Sequence, residues 1–166
     1  MFEHLLVALD GSPAAERVLD HAEALADAFR STITLLRATI SAEMVVAETT
    51  GGETVVGEVA ATVDPTPILE ADRSAAEEYL NAIAERLRRR NLTVNQEHPP
   101  GPATQVIVER AAALGVSLIL MTTHGRGGLG RLVFGSTADS VLRHARCPLL
   151  LVRVTDDSAE PDGAQP

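Results

Sequence analysis

The residues best suited to chemistry crowd into one stretch, 121–137, which reads Met-Thr-Thr-His-Gly-Arg-Gly-Gly-Leu-Gly-Arg-Leu-Val-Phe-Gly-Ser-Thr. An apolar run at 117–121 reads as a buried strand leading into it. Ser136 can cap a helix that carries Ala138, Val141 and Leu142 on one face. Strand, glycine loop and helix N-terminus are how α/β proteins hold phosphate. Glycines let the backbone come close, and the first helical N–H groups and the dipole attract the anion. Two general motifs fit only in part. Gly125-x-Gly127-x-x-Gly130 has dinucleotide spacing, but that fingerprint needs an acidic residue about 20 positions on. Here that region is Pro148-Leu-Leu-Leu-Val152. Gly130-x-x-x-x-Gly135-Ser136-Thr137 has P-loop spacing, but Ser136 stands where the P-loop lysine must reach the phosphates. All 14 basic residues are Arg, so Schiff-base and lysine-nucleophile chemistry are excluded as well.

The other polar residues assemble no catalytic set. His4, His21, His98, His124 and His144 are scattered and lack metal-ligand spacing. Ser136 has no nucleophile elbow around it. Cys147, before Pro148 at a strand start, reads as a small buried apolar side chain. Asp10 ends the first apolar run, as either a turn residue or a ligand-facing carboxylate. These residues point to binding rather than turnover. A glycine-rich turn without a ligand is the structural alternative.

The composition sets the frame. The chain has 166 residues, 45% of them apolar and 22% charged, which suits one domain with a sizeable core. No apolar run approaches the roughly 18 residues of a membrane span. Met1-Phe2-Glu3-His4 lacks the basic start of a signal peptide. Cys147 is the only cysteine, so there is no internal disulfide, and a cytoplasmic setting is expected. The net charge of −9 is uneven. Seven acids at 39–72 and four in the tail after Val154 leave twelve acids against 14 Arg elsewhere. With no basic face and 2% aromatics, nucleic-acid binding is not expected. Arg88-Arg89-Arg90 falls where a helix should end and complements its dipole.

The elements that must position these residues follow from periodicity. Residues 4–9 form a short buried strand, and Asp10-Gly11-Ser12-Pro13 breaks it. Ser12 is a natural N-cap with Pro13 at the first helical position. Val18, Leu19, Ala22, Leu25, Ala26 and Phe29 recur at helical spacing, and 32–36 is a second strand. This βαβ opening implies a parallel sheet. Residues 39–67 read as a long acidic loop, with a possible hairpin at 54–56 and 59–63 and a lid role open to it. Residues 68–90 form a long amphipathic helix and 91–97 a third strand. A helix starts at Pro102 and closes at Gly115. The strand into the glycine loop, the helix after it and a strand at 147–153 complete the fold. The domain is expected to end at 154, and 155–166 reads as a disordered acidic tail.

These segments closely resemble the universal stress protein (UspA) family. Its ATP-binding members carry Gly-x2-Gly-x9-Gly-Ser/Thr after the fourth strand. Here Gly125 matches the second glycine and Gly135-Ser136 the end, while Thr122 replaces the first glycine. The likeness extends to 5–12 and to Arg143-His-Ala-Arg-Cys-Pro-Leu-Leu-Leu-Val152. It implies a doubly wound α/β fold of the adenine nucleotide alpha hydrolase type: five parallel strands in order 3-2-1-4-5 with helices on both faces. It places an adenine nucleotide against Ala8, Leu9, Asp10, Ala38, Met121, Thr122, His124, Gly125, Arg126, Gly128, Gly135, Ser136 and Thr137. Asp10 would lie over base and ribose, Ala38 in the adenine pocket, and His124 would structure the loop. Arg37 stands where many members have His. The implied function is an ATP-binding stress-response module, with magnesium entering only through the phosphates. It would act as a homodimer through strand 148–153, an apolar sheet edge that invites pairing. A nucleotide-free dimeric scaffold and a slow ATPase or self-phosphorylating protein are the alternatives. The client protein is unnamed by any residue.

Overall fold

The computed structural model describes residues 1–49, 64–124 and 135–154. The possible hairpin at 54–63, the loop residues Gly125, Arg126 and Gly128, and the tail 155–166 lie outside these. The chain runs β1 (His4–Ala8), α1 (Pro13–Glu16), α2 (Leu19–Phe29), β2 (Thr32–Leu36), α3 (Ala42–Thr49), α4 (Thr66–Arg88) and β3 (Thr93–Glu97). It continues through α5 (Ala103–Ala113), β4 (Leu118–His124), α6 (Ser136–His144) and β5 (Leu149–Val154). The five strands are all parallel, in the order β3-β2-β1-β4-β5. The central strands are mostly apolar because both faces are covered. On β1, Leu5 and Val7 pack under α2 and α4 with Leu19, Leu80 and Leu87. Leu6 and Ala8 face the other way, onto Ile107 of α5 and Val141 of α6. The sheet is thus doubly wound, as the sequence implies.

The structure departs from the sequence reading at several places. The helix expected from Ser12 to Phe29 is broken at Arg17–Val18 into α1 and α2. Ser12 still caps the first piece, its Oγ accepting the Ala15 N–H at 3.1 Å. Phe29 is not in the core but 44% exposed, with its ring edge-on to Phe2 at 5.2 Å between centroids. Leu142 is 50% exposed, whereas Ala138 and Val141 are buried. Those two fill the narrow stripe that meets the sheet, and Leu142, one residue's rotation further, falls outside it. The expected loop 39–67 contains α3, where Ser41 Oγ meets the Met44 N–H at 3.4 Å as an N-terminal cap. Among the described residues of that helix only Val45 is buried, so its apolar pattern is too thin to read as a helix from sequence.

Arg88 and Arg90 do more than close a helix. Arg88 donates to the Val94 carbonyl at 2.7 Å, and Arg90 pairs with the buried carboxylate of Glu23 on α2. The end of α4 is thereby tied both to β3 and to α2. Among the described residues, no helix is long and apolar enough to cross a membrane.

Candidate functional site

A cleft opens beyond the carboxyl ends of β1, β2 and β4. From β1 the chain winds to β2 on one side, while β4 lies on its other side, so strand order reverses here. Open parallel sheets place ligands at such a point. One lobe, about 240 Å³, lies between the end of β1 and the start of α6, and is lined by Ala8, Leu9, Asp10, Met121, Thr122, Gly135, Ser136 and Thr137. The other, about 200 Å³, shares Ala8, Leu9 and Asp10 and reaches across to Arg37, Ala38 and Asp72. Residues far apart in sequence therefore meet at one site. His124 is the last residue of β4, paired with Val154 of β5.

The phosphate-suited end is built by the start of α6. Gly135, not Ser136 as the sequence suggested, occupies the N-cap position, and no side chain among the described residues caps the helix. A Cβ on Gly135 would meet none of the described residues within 4 Å. Ser136 is exposed in the first turn, and Thr122 and Thr137 flank it. Asp139, also in the first turn, is paired with Arg143 at 2.9 Å. That hydrogen-bonded guanidinium holds its carboxyl below the usual carboxylate range. Backbone N–H groups, a hydroxyl and the helix dipole are what an anion needs.

The other end has a different chemistry. Asp10 Oδ1 accepts the Ser12 N–H at 2.9 Å, a local turn that Gly11 completes at φ +87°. Ala38, Ala103 and Ile107 give a small apolar slot. Arg37 lies against Gly11, where a Cβ would come 3.4 Å from its Nη1. Its guanidinium is 5.7 Å from the Tyr79 ring centroid and 3.5 Å from Asp72 Oδ1. Tyr79 is pushed up to about 12, by burial first and then by the Glu16 and Asp10 carboxylates, with Arg37 opposing.

Sequence reasoning missed Ala15, Ile40, Met44, Asp72, Ala103, Ile107 and Thr123, all of which line the cleft. Most sit on helices or strands inside ordinary amphipathic patterns, and only the tertiary fold turns them toward the site. A larger cavity, about 710 Å³, adjoins at Thr39 and Ile40, between α3, α4 and the end of β3. Its wall carries the two-pronged Arg110–Glu97 pair, at 2.5 and 2.7 Å. No group of three or more His, Cys, Asp or Glu among the described residues could hold a metal ion.

Comparison with known proteins agrees with this architecture. The model of the universal stress protein family matches residues 1–153. Universal stress protein A homolog 2 of Coxiella burnetii is 37% identical over 99 residues, 58% of this chain and 62% of its own length. Universal stress protein YxiE of Bacillus subtilis is 26% identical over 157 residues, covering 92% of this chain and 100% of its own. Among solved structures, the hypothetical protein MJ0577 superposes with a TM-score of 0.74 at 22% identity, over 95% of this chain and 99% of the other. A universal stress protein in complex with cAMP gives 0.65 at 15% identity, over 93% and 98%. An Arabidopsis thaliana family protein with AMP bound gives 0.63 at 12% identity, over 96% and 97%. At such identities the superpositions show the fold, and the family follows from the match along nearly the whole sequence. This chain belongs to the universal stress protein family.

Proposed function

We infer that this chain is an adenine-nucleotide-binding regulatory module of the stress response, with ATP as the ligand. One observation carries the reading: a single cleft joins a helix start that no described side chain caps, with a glycine at its head, to an apolar slot beside Asp10. Phosphates would lie on the backbone and hydroxyl at Gly135–Ser136. The base would enter the slot at Ala38, and the ribose hydroxyls would donate to Asp10. The arginines at 126 and 131 add positive charge to the loop in sequence. Relatives solved with cAMP and with AMP support an adenine ligand. Any magnesium would enter on the phosphates. The module would work in the cytoplasm as a homodimer through β5, whose Leu149, Leu150, Leu151 and Val152 are only half-buried at the sheet edge.

The test is to denature the purified protein and identify any released nucleotide, followed by calorimetry with ATP and magnesium. Adenine nucleotide in the supernatant, or heat that titrates to one site, supports the reading. No released nucleotide together with no heat at millimolar ATP removes it and leaves a dimeric scaffold. Phosphate release above that of a Gly135→Val control would make the protein a slow ATPase instead.

A further inference from the structure

Part of the apolar slot is built by the chain as it leaves β2. Ala38, Ile40 and Met44 line the slot together with Ala103 and Ile107 of α5. As far as Thr39 this chain is bonded to the β3 side. The Arg37 N–H donates to the Glu97 carbonyl at 3.1 Å, and the Thr39 N–H to the Pro99 carbonyl at 3.0 Å. The Thr39 carbonyl in turn accepts the Gly101 N–H at 2.9 Å. At Ile40 the partner changes. Its N–H donates to Asp72 Oδ2, on α4, at 2.7 Å. Ser41 then begins the turn into α3, its carbonyl accepting the Met44 and Val45 N–H groups at 3.1 and 3.2 Å. Asp72 therefore stands where the slot wall passes from the sheet to a helix. Its other oxygen, Oδ1, faces Arg37 Nη2 at 3.5 Å, and only 18% of its side chain is exposed. A bond to an ionised acceptor in such a place is stronger than a neutral one.

We propose that Asp72 is a positioning residue for the base end of the cleft: its Oδ2 holds the Ile40 backbone, so that the wall of Ala38, Ile40 and Met44 is in place before a base arrives. The proposal deepens the nucleotide reading above and rests on it. Asp72 acts through the backbone, and its contribution is pre-organisation. A site assembled in only a fraction of the molecules loses apparent affinity in proportion to that fraction. Losing a hydrogen bond of this kind should lower the assembled fraction to about a tenth. What the slot needs at this position is an acceptor, not a negative charge.

The experiment uses the full chain in four forms: wild type, Asp72→Ala, Asp72→Leu and Asp72→Asn. Alanine and leucine remove the acceptor, and both suit a helix, so α4 should persist. Leucine also keeps the branched shape of the side chain. Asparagine keeps an oxygen for the Ile40 N–H. All three variants remove the charge and the pair with Arg37, so a difference among them reports the acceptor rather than the charge. Each protein is titrated with ATP by calorimetry, well below its melting temperature, after circular dichroism has verified its fold. Asp72→Ala and Asp72→Leu should weaken ATP about tenfold. Asp72→Asn should stay within about threefold of wild type. A merely structural role would lower the melting temperature and leave ATP affinity below the melt unchanged. Wild-type affinity in either folded acceptor-free variant would therefore overturn the role. So would a loss in Asp72→Asn as large as theirs. Wild type binding no ATP would instead remove the nucleotide reading itself, and this role with it.

Discussion

Asp72 Oδ2 accepts the Ile40 N–H at 2.7 Å, so a carboxylate on α4 fixes the backbone that leads from β2 into α3. Ile40 lines both the cleft and the larger cavity beside it. This one bond therefore sets a wall between two spaces. Asp72→Ala should leave the Ile40 N–H without its partner and Arg37 without its ion pair. A destabilisation of about 1–3 kcal/mol is expected, the usual cost of an unsatisfied, largely buried group. Thermal melts measure the loss, and amide exchange should quicken first at Ile40. Unchanged exchange at that amide would contradict the assignment.

Tyr79 gives a prediction in pH. Its folded value of about 12 lies above the ordinary 10.0, so the folded protein holds the phenolic proton more tightly than the unfolded chain does. The resulting stability is fully present below pH 10 and is lost as pH rises from there toward 12. The chain has one tyrosine and no tryptophan, so phenolate absorbance reports this residue alone. The spectroscopic midpoint should lie well above that of denatured protein. Its buried hydroxyl makes no hydrogen bond of ordinary geometry among the described residues, although the Glu16 carboxylate is close enough to raise it. Tyr79→Phe should therefore cost little stability at neutral pH, within about 1 kcal/mol, and should flatten the alkaline decline. A midpoint equal to that of the denatured chain would refute both expectations.

Thr122 and Gly135 face the same lobe and can be tested together. Gly135→Val meets no atom of the described residues within 4 Å at its Cβ, so the fold should survive. It would, however, occupy the space where phosphate approaches the backbone. Losing two or three charge-assisted hydrogen bonds, at roughly 1.5–3 kcal/mol each, should abolish measurable ATP binding. Thr122 takes the place of the family's first loop glycine and is half-buried on the wall of this lobe. Thr122→Gly should tighten ATP if the side chain crowds the ligand, and calorimetry reads the change directly. Wild-type binding by Gly135→Val would move the phosphates elsewhere.

Among the described residues β5 is an edge strand with β4 as its one neighbour. A homodimer pairing along this edge should appear by light scattering at tens of micromolar. A monomer at that concentration would discard the dimer.

The sequence by itself determined the periodic elements. Strands at 4–9 and 32–36, the amphipathic α4 and the strand–glycine–helix order around 121–137 are local patterns, readable from neighbouring residues. It also supplied the family likeness, from which the strand order followed. It pointed to Ala8, Leu9, Asp10, Ala38, Met121, Thr122, Gly135, Ser136 and Thr137, which the fold brings to one cleft. What only the tertiary structure decided depends on pairs distant along the chain. Asp72 looks like any solvated helix acid until α4 docks and carries it to Arg37, 35 positions away. Ala103 and Ile107 look like core residues of α5, and Ile107 is one, yet both also form the slot wall. Phe29 and Leu142 carried apolar identity without burial, because a helical stripe meets the sheet along a narrower band than its hydrophobic residues mark. A side chain's type limits what it can do, but its neighbours through space decide which of those things it does.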